Sequence, residues 1–292
     1  MTEDSHKPRA APHRPDAIAS VRGDATEGEG RPVEARADEV EQWTQRLLGG
    51  SLSEVEGVLQ TAAVWRRPGS GELVVLKIDD ETPKSASDFL LLQLGRARAE
   101  AIVTTGRILR DEPDLDFALG FAHPELPASR AHLEAWRADA CGLASEAKLV
   151  VLSSGRDLPL HHPALEGRDV TVLTGALGEE RLASASRAFG IEVVAVPDSG
   201  VLGALAWLAG QGTRRVTVEA GPSTSSALYG DSTHVAALSL STLQQADLPE
   251  SLQGGAFLTG AELHERMQPV REASTVDEQE SRWSFQLWRS LE

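Results

Sequence analysis

Residues 215–228 read R-V-T-V-E-A-G-P-S-T-S-S-A-L, and the fold turns on how they are read. Val216 to Glu219, opening with the β-branched Val216-Thr217-Val218, read as a short buried strand. Ala220, Gly221 and Pro222 then turn the chain, and the hydroxyl residues from Ser223 to Ser226 open a helix. Gly221 allows another backbone or a phosphate to approach closely. Hydroxyls and free N–H groups at a helix start favour an anion. The stretch therefore reads either as a phosphate or dinucleotide site at the carboxyl end of a strand, or as an ordinary strand–turn–helix joint.

Similar joints recur upstream. The apolar runs 73–78, 101–104, 148–152, 170–174 and 191–196 read as strands. Three of them end in small polar residues: Thr104-Thr105-Gly106, Ser153-Ser154-Gly155 and Thr174-Gly175. Helical periodicity or caps predict helices over 37–48, 52–65, 89–98, 129–142, 179–189 and 200–208. The second of these carries a Ser53–Glu56 capping-box pattern, and Ser87-Asp88 is read as the cap of the third. Further strands are expected at 234–240 and 283–288. Strands alternating with helices predict an α/β domain around a mostly parallel sheet, whose strand carboxyl ends bind ligands.

Composition narrows the function. The chain has 292 residues and a formal charge of −16, which argues against attraction to nucleic acid or an anionic membrane. No apolar run has the length of a membrane span, and the amino end lacks a signal-peptide core, so cytoplasmic residence is expected. The single cysteine, Cys141, leaves no internal disulfide and no cysteine-built zinc site. His161-His162 lacks a third ligand, so no metal is expected. Residues 1–36 are polar, Pro- and Gly-rich and without apolar period, and read as a disordered tail ahead of a domain over 37–292.

Three blocks resemble the reductase domain of the bacterial riboflavin-biosynthesis deaminase–reductase family. R-A-R-A-E-A-I-V-T-T-G at 96–106, followed by D-E-P-D-L at 111–115, is similar to the family's R-A-x-x-D-A-I-L-V-G and D-D-P-x-L. K-L-V-V-L-S-S-G-R-D-L-P-L at 148–160 resembles R-V-V-L-D-S-x-G-R-L-P-L, and V-E-A-G-P-S at 218–223 resembles V-E-G-G-P-T. Order and spacing agree over about 72–292. The resemblance implies a dihydrofolate-reductase-like fold and hydride transfer from NADPH to a small pyrimidine-type substrate. It implies cofactor contacts from Thr104, Thr105, Gly106, Arg107, Asp111, Ser153, Ser154, Gly221, Pro222, Ser223, Thr224 and Ser225. It implies substrate contacts from Arg96, Leu115 and Glu219, with Arg96 suited to a phosphate and Glu219 to an N–H or hydroxyl. It also implies a homodimer. No covalent nucleophile is expected, because the hydride chemistry belongs to the cofactor.

The chain departs from the family pattern at several points. With 73–78 taken as the first strand, the family's S-L-D-G turn is replaced by the acidic D-D-E-T-P-K at 79–84, which would repel a substrate phosphate. Arg107 stands where the family has threonine, and could grip a cofactor phosphate instead. Ala220 replaces the first glycine of V-E-G-G-P, which is acceptable only if that residue has no positive φ. The family's arginine after D-D-P-x-L falls near Ala118. The expected function is NADPH-dependent reduction of a small pyrimidine- or pterin-like molecule. The alternative is a catalytically idle relative that serves as a nucleotide-binding or protein-interaction scaffold.

Overall fold

The computed structural model describes residues 33–230 and 232–291. Of the expected disordered tail, residues 1–32 lie outside the described residues, while 33–36 form the first turn of a helix. That helix, α1 (Val33–Leu48), leads to the strands β1 (Gly57–Arg66) and β2 (Leu73–Leu76). Next come α2 (Ala86–Arg98), β3 (Ala101–Thr105), α3 (Gly106–Asp111), α4 (Arg130–Asp139), β4 (Lys148–Leu152), β5 (Val170–Thr174) and α5 (Ala176–Ala188). The chain continues through β6 (Glu192–Ala195), α6 (Val201–Gly210), β7 (Arg215–Val218), α7 (Pro222–Ser225), β8 (Ala237–Leu243) and β9 (Gln253–Ala256). It closes with α8 (Gly260–Arg266), β10 (Met267–Pro269), β11 (Ser274–Glu278) and β12 (Ser281–Ser290).

The strands make one sheet in the order β10-β12-β8-β1-β7-β3-β4-β5-β6. From β8 to β6 every neighbouring pair is parallel. The carboxyl-terminal strands β10, β11 and β12 add antiparallel to one side, and β2 folds back on β1 and joins β9. The mostly parallel α/β sheet expected from the sequence is therefore present.

One expectation is overturned at the centre of that sheet. Residues 52–65, read as a helix, contain instead most of β1, which lies between β7 and β8. Because β1 is covered on both faces, its apolar residues do not alternate with polar ones, and its two alanines mimic a helical run. Leu59 and Trp65 pack toward α1 and α2, while Ala62 and Val64 pack on the opposite side. The supposed capping box is a tight turn in which the Ser53 amide donates to Ser51 Oγ at 3.0 Å. The first strand is thus β1, and the residues that follow it are Arg67-Pro68-Gly69-Ser70-Gly71 rather than the acidic 79–84 segment. The repulsion argued from that acidic segment loses its basis.

The helices cover both faces. On one side α1, α2 and α4 bury Val40, Leu94 and Trp136 against Leu59 of β1 and Trp283 of β12. On the other, Leu208 of α6 packs with Val103, Val150 and Val218. Arg98, fully buried at the end of α2, donates to the carbonyls of Val55, Gly57 and Val216 and so ties the helix to the amino ends of β1 and β7. Burial lowers its pKa to about 10. The cap of α2 is Ser85, whose Oγ accepts from the Asp88 amide at 3.0 Å, rather than Ser87-Asp88.

Candidate functional site

Of four neighbouring parallel strands, β3, β4 and β5 end within one residue of a common level and β7 ends two residues short of it, where Glu219 and Ala220 carry the chain on. Val218 lies opposite Val103, Thr105 opposite Leu152, and Leu152 opposite Leu173. The small-polar residues beyond these positions therefore form one edge: Glu219–Gly221, Gly106–Arg107, Ser153–Gly155 and Thr174-Gly175. The Glu219 amide donates to the Val103 carbonyl at 2.8 Å and the Ser153 amide to the Leu173 carbonyl at 3.1 Å, which extends the sheet to the rim.

Most of the expected cofactor residues gather there. Thr105 caps α3, its Oγ1 accepting from the Ile108 amide at 3.2 Å. A Cβ on Gly106 would stand 3.3 Å from Ser153 Oγ, so these two strand ends touch. Ser153 Oγ accepts from the Gly155 amide at 3.1 Å, and the Ser154 carbonyl accepts from Arg181. Arg107 is 77% exposed, with an ion pair to Asp111 at 3.3 Å. Arg110 and Arg156 are exposed on the same side, which gathers guanidinium groups at this rim of an acidic protein. Gly221 has φ −63°, and no atom stands within 4 Å of where its Cβ would be. Space is thus open beside it, although its backbone does not require glycine. Ala220 has no positive φ, so its methyl is accommodated.

Two expectations change. The helix after Gly221 is only Pro222–Ser225, followed by the 3-10 turn Ser226–Leu228. The hydroxyls compete for the backbone: Ser225 Oγ donates to the Ala220 carbonyl and Ser226 Oγ to the Ser223 carbonyl. Ser223, Thr224 and Pro222 therefore border the rim without a long helix dipole behind them. Thr104 is buried inside β3, one residue short of the rim.

Arg96 and Glu219, both expected to touch substrate, bind each other. Arg96 Nε donates to Glu219 Oε1 and Nη2 to Oε2, each at 2.7 Å, and Nη1 donates to the Asp116 carbonyl at 3.0 Å. The Phe117 ring lies 4.6 Å from the guanidinium carbon. With Arg96 3% exposed, its fork is filled by the carboxylate rather than open to a ligand phosphate. Burial pulls the Arg96 pKa down, and the Glu219 charge and hydrogen bonds more than offset it, so it is raised. Glu112 nearby is also raised, by burial first and the Glu219 charge second. Leu115 is half-buried against the core on the Phe117 side of the sheet. His162 serves the local turn, its Nδ1 accepting from the Ala164 amide, and is placed as a structural residue.

In sequence, Asp88 reads only as part of a helix cap. Among the described residues its Oδ1 is out of solvent contact with no hydrogen-bond partner, as are the Thr61 and Ser239 hydroxyls on β1 and β8, and the Ser241 hydroxyl on β8 faces the carboxyl. Burial pushes the Asp88 carboxyl up to about 6, with the Ser241 hydroxyl opposing and the Glu278 charge adding. Ser241 lies opposite Ala63, three residues past the Gln60–Val218 pair where β7 ends, so this carboxyl stands toward the same end of the sheet. Nothing local marks it, since an acidic residue in a first helical turn is ordinary.

No protein-family model matches the chain, and no curated protein matches it. Solved structures do. A pyrimidine reductase-like protein from Corynebacterium diphtheriae is 20% identical with a TM-score of 0.56, the match covering 85% of this chain and 98% of that one. RibD from Acinetobacter baumannii is 15% identical in each of two forms, with TM-scores of 0.52 and 0.51. That match covers 80% of this chain and 57% or 58% of RibD, so the chain spans less than two thirds of RibD's length.

The fold is dihydrofolate-reductase-like. The resemblance to riboflavin-biosynthesis reductases read from the three sequence blocks holds at the level of the fold. Among the described residues no helix of this domain is long and apolar enough to cross a membrane.

Proposed function

We propose that this chain is an NADPH-dependent reductase of a small, pyrimidine-like molecule. The observation that carries this reading is the register that sets Thr105, Ser153 and Gly221 at one rim, beside open space at Gly221. When bound, the cofactor supplies the hydride. The chain's part is to bind and orient. Thr105, Gly106, Ser153, Ser154 and the Gly221–Ser225 turn offer hydroxyls and backbone groups to the dinucleotide. Arg107 is free to exchange Asp111 for a cofactor phosphate, because an exposed pair of this kind is worth about 1 kcal/mol or less. Asp111 borders the same position. Each Glu219 oxygen keeps an acceptor site beyond its bond to Arg96, so Glu219 receives a substrate N–H or hydroxyl while Arg96 positions it. Leu115 contributes apolar contact. This reading includes a cytoplasmic homodimer, which sedimentation velocity tests.

Titration with NADPH and NADH, followed by cofactor fluorescence, tests the proposal. NADPH binding in preference to NADH, weakened by Arg107→Ala, supports it. The second reading is the idle scaffold, favoured by the way Glu219 occupies the Arg96 fork; binding of neither nucleotide supports that reading. Rescue of a riboflavin reductase-deficient strain would assign the riboflavin-pathway substrate itself.

A further inference from the structure

A cavity of about 290 Å³ lies between α2, the 117–119 segment, α4 and the segment 143–147 that leads into β4. Glu146 and Arg168, on its wall, precede β4 and β5. The cavity therefore stands at the amino ends of these strands, the opposite end from Ser153 and Gly175. Four guanidiniums line it, those of Arg96, Arg130, Arg137 and Arg168, in a chain whose formal charge is −16.

These arginines are unequally satisfied. Arg96 is spent on Glu219. Arg130 is 67% exposed and pairs through Nε with Glu134 at 2.6 Å. Arg137 donates to the carbonyls of Ala97, Ala99 and Ser145, so its hydrogen bonds bring it no carboxylate. Burial lowers its pKa. Arg168 has a side chain only 11% exposed, yet among the described residues its ion-pair partner is Glu146 with Nη2 3.9 Å from Oε2, too long for a hydrogen bond. Three guanidiniums face a carboxylate and the fourth does not, which leaves the cavity positive within an acidic molecule. A guanidinium with no close acceptor among the described residues has donors left to offer, because the fork of arginine matches a phosphate or carboxylate in two parallel bonds. Ile102, Phe117 and Leu143 give the same cavity an apolar wall.

We propose that this cavity is a second ligand site, which takes the phosphate group of a small phosphorylated molecule on Arg168 and Arg130, with Arg137 supplying uncompensated charge behind them. The site touches the reductase reading at one residue, Arg96, which lines the cavity and holds Glu219. It shares no residue with the Thr105–Ser153–Gly221 rim, and the apolar wall takes the uncharged body of the ligand. Its volume suits a compact ligand.

The test uses the full chain and inorganic phosphate as probe, by calorimetry and thermal shift, against chloride at equal ionic strength. Saturable binding of phosphate is expected. Arg168→Gln weakens it by about ten-fold, the loss of one charge-assisted contact, and Arg130→Gln weakens it in the same direction. Arg282→Gln, at an exposed arginine of β12 that lines neither site, leaves it unchanged. Should Arg168→Gln fail to fold, the exposed Arg130→Gln carries the comparison. Absence of saturation beyond chloride overturns the proposal. So does phosphate binding that is lost in Arg107→Ala and kept in Arg130→Gln, or saturation by succinate and not by phosphate. Because NADPH titration reports on the other rim, failure here and failure of the reductase reading are separately visible.

Discussion

The guanidinium of Arg96 and the carboxylate of Glu219 meet as two parallel hydrogen bonds of 2.7 Å, in a site where the arginine side chain is 3% exposed. The pair joins the last turn of α2 to the carboxyl end of β7. Glu219→Gln would leave a buried positive charge without its counter-ion, and we expect it to cost about 3–5 kcal/mol in urea unfolding at neutral pH. Arg96→Met combined with Glu219→Leu should cost less than the sum of the single changes, because the two residues share one interaction. A loss for Glu219→Gln within the ordinary surface range of about 0.5 kcal/mol would contradict this role.

Gly221 separates folding from binding. With ordinary φ and no neighbour within 4 Å of a Cβ, Gly221→Ala should cost no more than about 1 kcal/mol, the gap between glycine and alanine at a helix N-cap. Gly221→Leu fills the open space and should weaken NADPH binding by about ten-fold or more, a penalty of about 1.4 kcal/mol. Cofactor fluorescence and urea unfolding on the same samples decide it. A leucine variant that binds NADPH normally places the cofactor elsewhere.

Gly155 behaves oppositely. Its φ is +75°, and a Cβ there would stand 2.7 Å from the Gly178 Cα in the first turn of α5. Gly155→Ala should therefore destabilise the fold by about 1–2 kcal/mol, through strain and the forced retreat of α5. It should also weaken NADPH binding, since the Ser153-Ser154 turn moves with it. Equal stability of the two proteins in urea would show that α5 moves aside freely.

Asp88 sets a pH dependence of definite sign. Its carboxyl is surrounded by Ser85 and Ser87 on its own helix, the Ser241 hydroxyl on β8 and the Glu278 carboxylate on β11, which accepts from Ser87. Burial raises the folded pKa from 3.8 to about 6. The folded chain therefore holds this proton where the unfolded chain has released it. The stabilisation is complete below the unfolded value and is lost as pH rises through the folded one, a fall of about 3 kcal/mol. Asp88→Asn removes the titration, so its stability should fall less than wild type across this window and exceed wild type at neutral pH. Parallel curves for the two proteins in pH-resolved urea unfolding would exclude it.

Much of the sheet is legible along the chain. The strands β3, β4, β5 and β7 are short, doubly buried, rich in β-branched residues and bounded by Ser, Thr and Gly, so their composition marks both their type and their ends. The central strand β1 is not, because burial on both faces erases its alternation and Ala62-Ala63 reads as helical. Of the carboxyl-terminal additions, β12 shows through its aromatic residues, whereas β9, with two glycines, and β11, with four polar residues of five, carry no apolar signal.

The sequence by itself determined the α/β class, the small-polar strand endings and the residue types of the candidate rim, because these depend on local pattern. Only the tertiary structure decided which endings share a level, that Arg96 is bound to Glu219 across 123 positions of chain, and that four arginines surround one cavity. The physical reason is the same in each case. A partner's identity and the water around a charged group are set by strands and helices that meet in space from distant positions, and no local periodicity encodes that meeting.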